Sequence, residues 1–165
     1  MSGALLSLVT LLAALGAGLI GGVFFAFSSF VMPALARLPP EQGIAAMQSI
    51  NVAAINRWFL GALFGTAAAC VLLLVLSLRA ASAASAGLRI GSSVLYLAGT
   101  VLVTIAFNVP RNDALASVAP ASAEAAHVWG RYLREWTTWN HVRAASGLLA
   151  GAGLTLALLA ARHGP

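Results

Sequence analysis

Lysine is missing from this 165-residue chain, and charge of either sign is scarce. Its nine basic residues are all arginine, four residues are acidic, and together they make up 8% of the sequence. A water-soluble domain carries about a quarter charged residues, so the shortfall excludes a soluble globular protein. Cysteine occurs once, at Cys70 in the middle of an apolar run, and no disulfide framework can form within one chain. Three histidines and four scattered acids offer no ligand spacing for a metal centre. No glycine-rich phosphate loop, nucleophile elbow or haem signature is present either, and no cofactor is expected. The net charge of +5 rests on few groups beside long apolar runs. It therefore bears on orientation and lipid contact, and nucleic acid is not an expected partner.

What is there is apolar. Hydrophobic residues make up 61% of the chain and the mean hydropathy is +0.94. The composition predicts an integral membrane protein, a single membrane domain over residues 1–165. Residues 4–32 hold no charged side chain and are long enough to cross about 30 Å of hydrocarbon. Without the basic start and shorter apolar core of a secretory signal, the run reads as a retained helix. Met32-Pro33 is expected to end it. Three further spans are read near 58–78, 88–107 and 142–161, flanked by Trp58, Arg79, Arg89 and the Trp129–Arg143 segment. Between them, 41–57 and 125–141 read as helices lying at the membrane surface, with 113–126 a polar loop ahead of the second. The fold class is all-α, an integral membrane four-helix bundle with short interfacial helices in two longer loops. Glycine pairs four apart (Gly18/Gly22, Gly61/Gly65, Gly87/Gly91, Gly147/Gly151) fit close helix packing in lipid and leave room for a homo-oligomer.

The stretch from Trp129 to Arg143 holds three of the four tryptophans. Trp129, Tyr132, Trp136, Asn140 and Arg143 fall at steps of 3, 4, 4 and 3, one face of a helix. His141 lies about 100° around from Asn140, on the neighbouring face. Four spans bring several polar groups to one membrane face: Gln48, Asn51, Asn56 and Arg57 before the second span, Asn108 and Asn112 after the third, and Asn140, His141 and Arg143 at the fourth. Polar side chains near membrane depth usually face the bundle interior or a wet cavity. Capping is the competing reading for each asparagine, since its side chain satisfies free backbone amides at helix ends. His141 is the one histidine in this cluster, the side-chain type that most often serves as a proton acceptor. Glu135 is expected to pair with Arg131 or Arg134.

Four motifs carry a resemblance: the glycine and phenylalanine run from Gly18 to Phe27, M-Q-x-I-N at Met47–Asn51, F-N-V-P-x-N at Phe107–Asn112, and W-x-x-W-N-H-x-R at Trp136–Arg143. The chain resembles the anthrone oxygenase family of small four-span membrane proteins. The resemblance implies oxidation of anthrones by molecular oxygen without a cofactor. On that reading His141 is the base, and Arg143, Asn108 and Asn140 are oxyanion donors. Trp136, Trp139 and Tyr132 form stacking walls, with Gln48, Asn51, Asn56 and Asn112 contributing to substrate binding. The implied partners are the bilayer and a hydrophobic small molecule, an aromatic polyketide or quinone. The expected place is the inner (plasma) membrane, multi-pass, and Arg79, Arg89 and Arg162 on the short link and tail, with no acid beside them, put both termini in the cytoplasm. A non-catalytic module that binds a lipid, quinone or small hydrophobic ligand, or supports a partner protein, stands beside the enzyme. A transporter ranks third, because no charge lies mid-span.

Overall fold

The computed structural model describes residues 3–79 and 85–162, with Arg162 by its backbone alone. The alanine-serine link at 80–84 and the tail from His163 lie outside the described residues. Among the described residues the chain forms five helices and no strand: α1 Gly3–Leu35, α2 Pro40–Ala53, α3 Arg57–Arg79, α4 Ala86–Ala116 and α5 Ala125–Arg162. All but α2 are long and apolar enough to cross a membrane. Contacts run α1 to α3, α3 to α4, α4 to α5 and α5 back to α1, so the long helices close into a bundle. The short α2 packs against the first half of α5 and the end of α4.

Two cores stack along the bundle. The first joins Ala13, Ala17, Ile20, Phe24, Leu73, Tyr96 and Leu154 between the four long helices. The second joins Met32, Ile44, Met47, Leu115, Trp129, Tyr132 and Trp136, where α2 covers the ends of α1 and α4. Leu15, Leu19, Phe30 and Leu149 stand more than half exposed on the outer faces, as lipid-facing side chains do.

The ends of α1 and α4 depart from the sequence reading in one shared way. The Met32-Pro33 and Val109-Pro110 steps do not stop their helices. Proline has no amide to donate and its ring crowds the carbonyl four residues back. The turn ahead of each proline therefore opens to i+5 bonding. The Met32 amide donates to the Phe27 carbonyl and the Val109 amide to the Thr104 carbonyl. The widened segments are Phe27–Val31 in α1 and Thr104–Asn108 in α4, with a further one at Tyr96–Leu102. α1 then continues to Leu35 and α4 to Ala116, which shortens the expected loop to residues 117–124.

Residues 125–141 are helical, and they do not turn at the membrane surface before a separate span. They run unbroken into 142–161 as the 38-residue α5, about 57 Å long. With no proline between Trp129 and Arg143, and Gly130 taken up inside the helix, nothing in the backbone stops α5 there.

The glycine pairs divide. A Cβ on Gly147 would stand 2.8 Å from the Gly21 Cα, and one on Gly151 would stand 3.1 Å from the Gly18 amide nitrogen. The α1–α5 contact is therefore backbone against backbone, the expected use of small residues in lipid. Gly61, Gly65, Gly87 and Gly91 have no neighbour in reach of a Cβ. Gly61 and Gly65 instead line an outward groove of about 350 Å³ with Leu12, Gly16 and Ala69.

Candidate buried polar site

Arg143 is 4% exposed and lies on the inner face of α5, between the two cores. Its Cζ sits 4.0 Å over the Phe24 ring and 4.9 Å from the centre of Trp136, so the guanidinium is walled by aromatic faces from α1 and α5. Such stacking stabilises a cation, more so when it is desolvated. Nη2 donates to Asn140 Oδ1 at 2.7 Å, and Nη1 donates to Thr104 Oγ1 at 3.3 Å. Nε has no hydrogen-bond partner among the described residues.

Asn140, fully buried one turn earlier, anchors this arrangement to α1. Its Nδ2 donates to the Phe24 carbonyl and to Ser28 Oγ, each at 2.7 Å. Ser28 belongs to the widened turn of α1 and Thr104 to that of α4, so one proline-linked segment holds Asn140 and the other holds Arg143. Asn108 closes the cluster on the α4 side. Its Nδ2 donates to the Trp136 carbonyl at 3.1 Å, while its Oδ1 and the Trp136 Nε1 are buried without partners. Unpartnered buried polar atoms are uncommon in native structures, and each marks a place for water or a ligand.

Above this cluster, Trp129, Tyr132 and Trp136 form a ladder with ring centres 5.7 and 6.0 Å apart. The Tyr132 hydroxyl donates to Asn112 Oδ1 at 2.8 Å and neighbours the Asn51 side chain. Asn51, Asn112 and Tyr132 thus form the roof of the site.

Four expected residues fall elsewhere. His141 is exposed on the outer face of α5, the 100° rotation that separates it from Asn140. Asn56 caps α3: its Oδ1 accepts from the Trp58 and Phe59 amides, both at 3.0 Å, and the residue is exposed. Gln48 donates to the Leu115 and Val118 carbonyls at 2.9 and 3.0 Å, which pins α2 to the end of α4. Trp139, half-buried, stacks on Phe107 of α4 with ring centres 3.6 Å apart, and it is not one of the two rings against the guanidinium. Glu135 pairs with Arg111 at 3.0 Å and not with an arginine of its own helix. That leaves Arg143 with no carboxylate partner among the described residues.

Phe24, Ser28 and Thr104 belong to the site and were not read from the sequence. Thr100, Thr104 and Asn108 repeat at steps of four, and Ser28 precedes Pro33 by five residues; these are the signals that pointed to them.

Among the described residues no three His, Cys, Asp or Glu side chains gather as metal ligands. In the comparisons with known proteins, the family model described as anthrone oxygenase matches residues 54–153, more than half of the chain. That stretch contains Asn108, Asn140 and Arg143. No curated protein and no solved structure matches.

Proposed function

The chain belongs to the anthrone oxygenase family, and from that premise we propose that it is a membrane-embedded oxygenase acting on anthrone-like hydroxyaromatic substrates. The observation that carries this reading is a buried guanidinium with two aromatic walls and, among the described residues, no acid. Burying an unpaired charge costs several kcal/mol, so a ligand that brings a negative charge would find that cost already met. An anthrone enolate is flat, apolar and negatively charged on one oxygen. Arg143 Nε, which has no hydrogen-bond partner among the described residues, suits its oxygen.

The chemistry balances without an added electron donor. The methylene C–H of the substrate loses a proton and leaves its electron pair in the enolate. The enolate carbon bonds to dioxygen as a peroxide anion, which takes a proton. Loss of the remaining C–H proton, with hydroxide departing from the broken O–O bond, gives the quinone carbonyl and one water. Arg143 stabilises the enolate oxygen and Asn140 holds the guanidinium, the role of a preorganised donor set. Asn108 orients a water or the substrate oxygen. The substrate arrives from the bilayer of the inner (plasma) membrane, where polycyclic aromatics partition; both termini are placed in the cytoplasm.

The outward position of His141 favours a second reading, because it leaves the cluster without a protein base. In that reading the module holds a quinone or related ligand and does not turn it over. Purified protein given a model anthrone under air and under argon separates the two. The enzyme forms quinone above the spontaneous rate only under air, whereas the binding module saturates with ligand and adds no product.

A further inference from the structure

The inner face of α4 is polar from one end of the helix to the other. Arg89, Ser93, Tyr96, Thr100, Thr104 and Asn108 follow at steps of 4, 3, 4, 4 and 4; Thr104 is half-buried and the rest are at most 4% exposed. A step of four drifts about 40° per turn on an α-helix. The i+5 turns at Tyr96–Leu102 and Thr104–Asn108 underwind the helix and hold these side chains on one face. Nineteen residues rise about 29 Å, which matches the hydrocarbon thickness of a bilayer, about 30 Å.

The facing helices continue the polarity. Arg89 Nε donates to Ser77 Oγ at 2.9 Å, and Ser93 faces the Cys70 thiol. Tyr96 neighbours Thr66 and donates its hydroxyl to the Leu63 carbonyl at 3.1 Å. Thr104 donates to the Thr100 carbonyl at 2.7 Å and accepts from Arg143. Thr100 donates to the Arg143 carbonyl at 3.4 Å, which carries the column across to α5. Ser93 Oγ, Asn108 Oδ1 and Arg143 Nε lie along it or at its head, each buried without a well-formed hydrogen bond. Buried polar groups left open in this way are the sites that internal waters fill.

We propose that the inner face of α4 holds a single file of water from the Arg89 end of the bundle to Arg143, and that this water is the site's proton acceptor. The file takes the proton released on enolisation, returns it to the peroxide and carries off the product water. Arginines at both ends oppose the passage of cations, so the file hydrates the site without opening the bilayer to ions. The proton role rests on the oxygenase reading; the water file does not.

The single cysteine supplies a probe inside the column, since its S–H stretch is one isolated infrared band. Reconstituted protein is moved into D2O, and the S–H and amide bands are followed together. The file predicts that Cys70 exchanges within minutes while core amides persist for hours. Ser93→Ala and Thr100→Val, neither of which adds volume, are expected to slow that exchange by about ten-fold or more at unchanged amide protection. An S–H band that persists as long as the core amides overturns the proposal. So does exchange of thiol and amides together, or exchange unaltered in both variants. Fast thiol exchange in a protein that turns over no anthrone keeps the water file and removes the oxygenase.

Discussion

Arg143 is defined by what surrounds it: two rings, one amide oxygen and one hydroxyl, with no carboxylate among the described residues. Asn140 holds this together, since a single side chain donates to α1 twice and accepts from Arg143 once. Asn140→Ala removes the bonds to the Phe24 carbonyl and Ser28 Oγ and leaves Arg143 Nη2 without its acceptor in the core. A loss of about 1–3 kcal/mol in stability is expected, measurable as a lowered unfolding midpoint in detergent; an unchanged midpoint would show these bonds to be idle. His141 makes the opposite case. Its outward position predicts that His141→Ala keeps wild-type quinone formation, and a large loss of rate in a folded variant would return the histidine to the mechanism.

The same residues show what the sequence disclosed. The 3-4-4-3 spacing placed Trp129, Tyr132, Trp136, Asn140 and Arg143 on one face, and all five are buried. That spacing also put His141 on the next face, yet its chemistry and the convergence of chain ends argued it into the site. Rotation about the helix was the better guide. Asn56 shows the complementary error, because its position ahead of α3 suited a cap as well as a pocket, and the cap prevailed.

At the scale of the element, the prolines and glycines decide the geometry. A proline signals the end of a helix in water, where the freed carbonyls find solvent. Inside a bundle the helix continues through a widened turn, and neighbouring side chains meet the altered backbone. This is why Pro33 and Pro110 were legible as punctuation while the turns they impose, and so the roles of Ser28 and Thr104, were not. Glycine pairs were legible as a motif but not by facing, because the pattern cannot tell a helix partner from lipid. The two kinds should respond oppositely to substitution. A Cβ on Gly147 would stand 2.8 Å from the Gly21 Cα, so Gly147→Ala forces α1 and α5 apart. A destabilisation of about 1–3 kcal/mol is expected, as for other overpacked contacts. Gly61→Ala meets nothing and should be neutral or stabilise by up to about 1 kcal/mol through helix propensity. Thermal unfolding of the two variants side by side tests the packing, and equal effects would contradict it.

At the scale of the whole molecule, α5 is about 57 Å long, nearly twice the hydrocarbon thickness of about 30 Å. Its first half must therefore extend past the hydrocarbon, where α2 and the ends of α1 and α4 enclose the second core. The composition announced four spans, but nothing in it announced that the fourth would be continuous with the aromatic segment. Nitroxide labels at Ala126 and Leu149 should separate cleanly, the first accessible to a water-soluble relaxant and the second to oxygen in lipid. Lipid-like accessibility at both positions would contradict this placement. The buried cluster then lies where the bilayer core meets the enclosed aromatic cap, with a charge that lipid alone would not tolerate. The central claim is that this charge receives the substrate anion. Its most direct measurement is oxygen-dependent quinone formation from a model anthrone by wild type and by Arg143→Ala, both shown to be folded. Loss of one preorganised donor of this kind predicts a fall on the order of 100-fold or more, to the spontaneous background. A folded Arg143→Ala protein that forms quinone at the wild-type rate would contradict it.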